Sequence, residues 1–362
     1  MWGALAVPSG GGTMAEAVAA SSDWQRYARQ IRYAPFGLDG QRRLAQSQVL
    51  ICGCGALGNM LAQLLVRAGV GRVRIVDRDV VDLTNIHRQL LFDESDAAQG
   101  LPKAVAAAEK LRRINTEVQI EPMVADINPS TILRFCEGVH CIVDGTDNFE
   151  TRFLINEAAV RLGIPWVYGG CLGAEGQTMT IVPGKTGCLR CLMPACPPAG
   201  TLPTCETAGI LPPVVGVIAS LEAMEAMKIL SGHLEAISPY LTVVELWEGR
   251  IRQIDVRHLR QQVDCPTCDR GEFPWLAGQE GTQTAVLCGR NTVQLLHPGV
   301  PIGLAELADR LKAVGPVHQT PYFVRLQVEG YQLTVFPDGR TLVQGTSDIA
   351  TAKTLCAKYL GM

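Results

Sequence analysis

Two cysteine pairs carry the plainest chemistry in this chain: Cys188 and Cys191 in CLRC, and Cys265 and Cys268 in CPTC. A CxxC turn lets two thiolates reach one ion, and two such turns supply the four sulfurs of a tetrahedral zinc site. A catalytic zinc keeps one position open for water. Four cysteines leave none, so the spacing predicts a structural staple. A second group of residues points to a nucleotide. GCGALG, at 53–58, follows a short apolar run and opens a helical pattern. Its glycines Gly53 and Gly55 allow a tight turn and close backbone approach, and the following helix N-terminus favours a phosphate or ribose. Asp77 ends the next apolar run, where an acid binds ribose hydroxyls; these two features alone favour NAD.

The residues after Asp77 tip the balance. DRDVVDLTNIHRQLLF crowds Asn85, Arg88 and Gln89 behind the ribose acid, Lys103 follows, and DGTDN at 144–148 brings Asp147 and Asn148 to another strand end. Two cations and an acid converging on phosphates suit ATP with magnesium rather than a hydride carrier. Arg and Lys hold phosphoryl oxygens and offset charge developing at phosphorus, and Asp147 can hold the metal.

The elements that must position these groups follow from periodicity. A helical lead-in is expected over Trp24–Gln46, a strand over Gln48–Ile51 and a helix from the glycine turn to Arg67. RVRIVD (72–77) reads as a strand, Lys103–Ile114 as a helix, Cys141–Val143 as a strand, Asn156–Leu162 as a helix and Trp166–Tyr168 as a strand. Strands alternating with helices predict an α/β fold, a doubly wound, Rossmann-like, mostly parallel sheet. QTMTIVPG and LTVVELWEG, separated by a helix over Val214–Leu230, should extend it with antiparallel strands. From Glu272 the alternation stops. A helix near Leu304–Val314, strands near Tyr322–Val328 and Gln332–Phe336, a PDG hairpin turn at Pro337–Gly339 and a final helix to Tyr359 predict a small C-terminal α/β module. The expected division is a disordered tail over 1–22, a nucleotide domain with its zinc site over 23–271, and the module over 272–362.

Composition narrows the partners. The chain has 362 residues, 47% of them hydrophobic, and a net charge of −3. That suits a soluble protein with more than one folding unit and gives no electrostatic case for nucleic acid or membrane as partner. Thirteen cysteines, an odd number, suit a reducing compartment, and the cytosol is expected. The first 22 residues contain no Lys or Arg and lack the charged start of a signal peptide. The uncharged stretch Ala208–Leu221 contains Pro212 and Pro213 and is too short to span a bilayer.

RYARQ, GCGALG, DRDVVDLTNIHRQ, GLPK, DGTDN, the two CxxC pairs and PTCETAGILPPVVGVIASLEAMEAMKIL together resemble the MoeB/ThiF type of ubiquitin-activating-like adenylyltransferases over roughly Trp24–Gly271. The resemblance makes Asp77 the ribose ligand, places Asn85, Arg88 and Lys103 on the ATP phosphates, and makes Asp147 the magnesium ligand. Arg29 matches an arginine that reaches the ATP site of the other subunit, which implies a homodimer. Two positions depart from the family: Ala56 stands where a further glycine is usual, its N–H retained, and Gly145 where a cysteine is commoner, with no contact to ATP expected.

The implied substrate is a ubiquitin-like sulfur carrier of MoaD or ThiS type ending in Gly-Gly. Its terminal carboxylate is adenylated with release of pyrophosphate, and a sulfur donor then converts the adenylate to a thiocarboxylate. Cys205, in PTCETAG, is the candidate thiol for that second step, with Cys196 in PACPPAG as an alternative. Some relatives carry a C-terminal rhodanese domain. Here Cys288 and Cys356 are the thiols beyond the second CxxC, and neither sits in a rhodanese-like loop. Cys356 falls in a predicted helix and reads as core, so a separate persulfide donor such as a cysteine desulfurase is expected. Activation of a ubiquitin-like modifier for conjugation, a nicotinamide-dependent oxidoreductase and a noncatalytic partner of a ubiquitin-like protein are the alternatives.

Overall fold

The computed structural model describes residues 22–198, 201–205, 207–281, 285–287, 291–296 and 302–361. Cys288 and all but the last residue of the expected N-terminal tail lie outside them.

Strand β1 (Gln48–Cys52) is buried along its whole length, as a continuous apolar run between helices must be. It pairs in parallel with β2 (Arg72–Asp77) and β4 (Cys141–Asp144). Outside these lie β3 (Gln119–Val124) beyond β2 and β5 (Trp166–Leu172) beyond β4, both parallel. Three antiparallel strands, β6 (Glu175–Ile181), β7 (Tyr240–Glu245) and β8 (Arg250–Asp255), complete the order β3-β2-β1-β4-β5-β6-β7-β8. The strand order reverses between β1 and β4, and ligands of open α/β sheets bind outside the carboxyl ends of strands at such a point.

Helices α1 (Ala56–Ala68), α2 (Lys103–Ile114) and α4 (Pro212–Leu230) contribute to the core on one face, with Leu61, Leu65, Ala107 and Ile218 fully buried. Helix α3 (Phe149–Leu162) covers the other, where Phe153, Trp166 and Tyr168 pack. The Pro-Pro start of α4 suits a first turn whose amides have no helical acceptors. No helix among the described residues is long and apolar enough to cross a membrane.

Three differences from expectation have local causes. The lead-in is broken into a 3-10 turn (Ser22–Tyr27) and two helices (Ala28–Ile31 and Gly37–Gln46), with Pro35 in the gap. α3 begins well before Asn156 because Asn148 caps it, its side chain accepting from the Thr151 amide at 2.8 Å. β3 carries Pro122 and β8 is exposed throughout, with Arg250, Arg252 and Asp255 among its six residues; both are edge strands, where a missing donor or charged side chains are tolerated.

A second sheet, order β11-β12-β13-β14-β10-β9, is wholly antiparallel. Its strands are β9 (Ala285–Leu287), β10 (Thr292–Leu296), β11 (Val317–Gln319), β12 (Val324–Val328), β13 (Tyr331–Val335) and β14 (Arg340–Gln344). Helices α5 (Leu304–Leu311) and α6 (Ile349–Leu360) share its core. The PDG turn joins β13 to β14, with Gly339 at φ +83°.

Candidate functional site

The glycine turn lies at the carboxyl ends of β1, β2 and β4. Gly53, at φ +88°, donates its amide to the Val76 carbonyl at 2.8 Å, while the Gly145 amide reaches the Cys52 carbonyl at 2.8 Å. A Cβ on Gly58 would lie 1.9 Å from the Gly53 carbonyl oxygen, and one on Gly145 2.5 Å from the same atom. Three glycines therefore let loop, helix and the DGTDN strand end meet backbone to backbone. No side chain caps α1 at Gly55, so the first amides of the helix face the turn without a side-chain acceptor.

Asp77 closes the site from the next strand. One carboxylate oxygen accepts the Cys54 amide at 2.6 Å and the other the Asp79 amide at 2.6 Å. Burial pushes its carboxyl above the usual range, and the Lys103 charge pulls it back. Lys103 is only 3% exposed, its Nζ 3.3 Å from Asp79. The two segments are laced together: the Lys103 amide donates to the Asp79 carbonyl at 2.9 Å and the Val81 amide to the Leu101 carbonyl at 2.8 Å. Arg88 folds onto buried Asn85, its guanidinium donating to Asn85 Oδ1 at 2.8 Å. Gln89, buried in the same turn, has an Oε1 without a hydrogen-bond donor among the described residues.

The DGTDN loop is shaped by a buried ion pair that sequence reasoning missed. Asp144 accepts from the Thr146 amide and hydroxyl at 2.9 and 2.7 Å and from Arg152 Nε at 3.1 Å. Arg152 also donates to the carbonyls of Thr146 and Gly169 and lies over the Phe149 and Tyr168 rings. The result leaves Asp147 exposed at the loop tip while Asn148 is engaged as the α3 cap. The signal available was the placement of an arginine four residues after Asn148, one helical turn on. Glu222 of α4 is fully buried beside this pair, with the Asp144 backbone amide the donor nearest its carboxylate among the described residues. Burial pushes its carboxyl well above the usual range.

Cys205 comes to the same region. Its thiol lies 3.6 Å from the Cys171 carbonyl, and Asp147, Arg88 and Arg152 are near enough for their charges to act on it. Burial pushes the thiol up. Cys196 is half-buried, with its thiol pushed up to about 11, and Cys356 is buried in the core of the C-terminal sheet.

Arg29 is not brought to this site. Its short helix packs at the far end of α1, where Gln30 donates to the Ala68 carbonyl at 3.0 Å, and its side chain is exposed. α1 spans 13 residues, so about 20 Å separates that end from the glycine turn.

The four cysteines of the two CxxC turns converge on the opposite face from α1. Cys188 Sγ is 3.7 Å from Cys265 and 3.9 Å from Cys191, and Cys191 is 3.8 Å from Cys268. All four sulfurs lie within 4.8 Å of one another. A tetrahedral ion with Zn–S bonds of about 2.3 Å requires sulfurs about 3.8 Å apart. Backbone amides of Cys188 and Cys268 point at Cys191 and Cys265 sulfurs, and Asn156 Nδ2 lies 3.5 Å from Cys188 Sγ, donors that suit thiolate ligands.

The ThiF family model matches residues 27–267. A sulfur carrier protein ThiS adenylyltransferase of Bacillus subtilis is 42% identical over 338 residues, 93% of this chain and 99% of that protein. A sulfur carrier protein adenylyltransferase of Thermus thermophilus is 37% identical, covering 67% of this chain and 90% of that one. An adenylyltransferase and sulfurtransferase MOCS3 of Sus scrofa is 37% identical over 80% of this chain, which spans 64% of that longer protein. Among solved structures, MccB of E. coli shares the fold at 24% identity, with a TM-score of 0.58 over 68% of this chain and 72% of that one.

Proposed function

This chain belongs to the ThiF family, and from that premise we propose that it adenylates the C-terminal carboxylate of a ubiquitin-like sulfur carrier ending in Gly-Gly. The similarity to the ThiS adenylyltransferase, end to end in that protein, favours a carrier of ThiS type over one of MoaD type. The observation that carries the reading is buried Lys103, held between Asp79 and Asp77 beside the glycine turn. A buried cation at a helix N-terminus suits a polyphosphate, and the acids hold it aimed before substrate arrives.

The carrier's terminal carboxylate is ionised near neutral pH, its unperturbed pKa being about 3.5, so no general base is required. One carboxylate oxygen attacks the α-phosphorus of ATP. The new O–P bond forms as the bond to the bridging oxygen breaks, and pyrophosphate leaves with that electron pair. Catalysis is therefore positioning and charge compensation. Asp77 accepts from the ribose hydroxyls, Gly53, Gly55 and Ala56 bring backbone to the nucleotide, and Asn85, Arg88 and Lys103 hold phosphate oxygens.

Asp147, exposed at its loop tip with Asn148 beside it, suits magnesium, which takes one or two carboxylates plus substrate phosphates and would offset phosphate charge there. The four-cysteine cluster suits zinc as a structural ion tying β6 and the start of the crossover to the segment after β8. Arg29 lies too far from the site of its own chain and supplies the site of a second copy, making the protein a homodimer.

For sulfur transfer, Cys205 attacks the acyl-adenylate, expelling AMP and forming a thioester. The terminal sulfur of a persulfide donor such as a cysteine desulfurase then attacks the acyl carbon, releasing Cys205 as thiolate, and a thiol reductant cleaves the resulting acyl disulfide to give the carrier thiocarboxylate and the donor's thiol. Unpaired cysteines throughout the described residues fit the cytosol.

ATP–pyrophosphate exchange with and without a Gly-Gly-ended ThiS-like protein, alongside Lys103→Ala, tests the reading. Exchange that needs both the carrier and Lys103 is expected. Exchange indifferent to Lys103, or none with any carrier despite bound ATP, overturns it.

A further inference from the structure

The C-terminal sheet touches the nucleotide site through two arginines. Arg340, at the start of β14, is fully buried; its plane lies 3.6 Å over the Phe336 ring and its Nη2 donates to the Arg78 carbonyl at 2.9 Å. Among the described residues its Nε and Nη1 are buried without hydrogen-bond acceptors, and Nε is 3.9 Å from Asp338. Arg325, on β12, lies over Phe323, and its guanidinium is so close to Gly100 that a Cβ there would sit 3.2 Å from Nη1. Phe323, Phe336 and Leu342 pack on Val80 and Val124 of the nucleotide domain.

These contacts fall on the two segments that carry the site's charges. Residues 78–81 follow Asp77 and contain Asp79; residues 100–103 end in Lys103. They are bridged at Val80 and Pro102 and by the Val81 and Lys103 amides. Arg78 extends the chain of charge, 2.9 Å from Asp126 and 4.0 Å from Asp79. Burying a guanidinium with one carbonyl acceptor is costly, and an apolar side chain would pack on Phe336 without that cost. What the arginine adds is a directed bond to one backbone atom of the segment.

We infer that the C-terminal module is a clamp on the nucleotide site, with Arg340 and Arg325 as positioning residues that hold the Asp77–Asp79 and Lys103 segments in register for ATP. The inference rests on the adenylation reading for its consequence, and on geometry alone for the clamp. The clamp acts before any substrate arrives. Removing it loosens the pair of segments and weakens ATP binding.

The full chain and its Arg340→Met, Arg340→Lys and Arg325→Met variants decide it by two readouts, amide hydrogen exchange and the KM values of the pyrophosphate-exchange assay. In Arg340→Met the Val81 and Lys103 amides exchange faster while amides of α6 and β13 do not, and the KM for ATP rises about tenfold, as loss of a charge-assisted hydrogen bond implies, with the KM for the carrier unchanged. Arg340→Lys falls between. If Arg340→Met does not fold, Arg325→Met at its half-buried position gives the same pattern more weakly. Wild-type exchange at both amides, or loosened amides with an unaltered ATP KM, overturns the inference. A wild-type protein that neither binds ATP nor exchanges pyrophosphate refutes the adenylation reading instead, and amide exchange alone then decides the clamp.

Discussion

Gly145 and Gly53 meet backbone to backbone: a Cβ on Gly145 would stand 2.5 Å from the Gly53 carbonyl oxygen and 2.8 Å from the Gly58 Cα. None of these atoms belongs to a flexible side chain, so nothing can swing aside. Gly145→Ala must shift the glycine turn, and overpacking of this kind costs about 1–3 kcal/mol. Thermal unfolding should show a lower Tm and a smaller stabilisation by ATP than in the parent. An unchanged Tm would mean that the turn yields freely.

Glu222 makes stability depend on pH. Its carboxyl is raised in the folded state, so its contribution is complete below the ordinary carboxyl range, near pH 4.3, and is lost as pH climbs toward the raised folded value. Across that window one proton changes stability by up to about 1.4 kcal/mol per pH unit. Glu222→Gln, uncharged at every pH, should flatten the decline in urea unfolding between about pH 5 and 8 and be the more stable protein at the upper end. Parallel curves for the two proteins sink this account.

The cysteine cluster should carry zinc in about a one-to-one ratio to chain, measurable by elemental analysis. Cys188→Ser, which removes a buried sulfur, should lose the metal and lower the Tm. Asn156→Ala should weaken retention against a chelator without abolishing it, because it removes an orienting donor and not a ligand. Full zinc occupancy in Cys188→Ser would contradict a four-sulfur site.

Cys205→Ser separates the two proposed steps. Pyrophosphate exchange should persist, because Lys103 and Arg88 are intact, whereas thiocarboxylate formation on the carrier, followed by mass spectrometry, should fall at least about tenfold. Because burial pushes this thiol up, alkylation of the free enzyme should be slow near neutral pH. Undiminished sulfur transfer sets Cys205 aside.

Mixing tests the placement of Arg29. Arg29→Ala and Lys103→Ala should each be nearly inactive alone, but equilibrated together they form mixed dimers with one intact site, restoring about a quarter of the parent exchange activity. No recovery after verified subunit exchange would return Arg29 to a role within its own chain.

The sequence by itself determined the alternating α/β pattern, the glycine turn, the order of Asp77, Lys103 and Asp147 along the chain, and the two CxxC turns. These are written in local spacing, since a turn, a strand end or a knuckle depends on a few adjacent residues. Only the tertiary structure decided the rest. Convergence of Cys188 with Cys265 spans 77 positions, and the burial of Glu222 beside Asp144 and Arg152 spans three elements. Edge strands β3 and β8 were illegible because Pro122 and charged side chains are read as breakers unless one knows that nothing pairs beyond them. Arg340 follows a hairpin turn, and nothing in its neighbouring residues signals burial. Its bond to the Arg78 carbonyl crosses 262 positions, and no periodicity encodes a contact whose two halves are related only by how separate sheets dock.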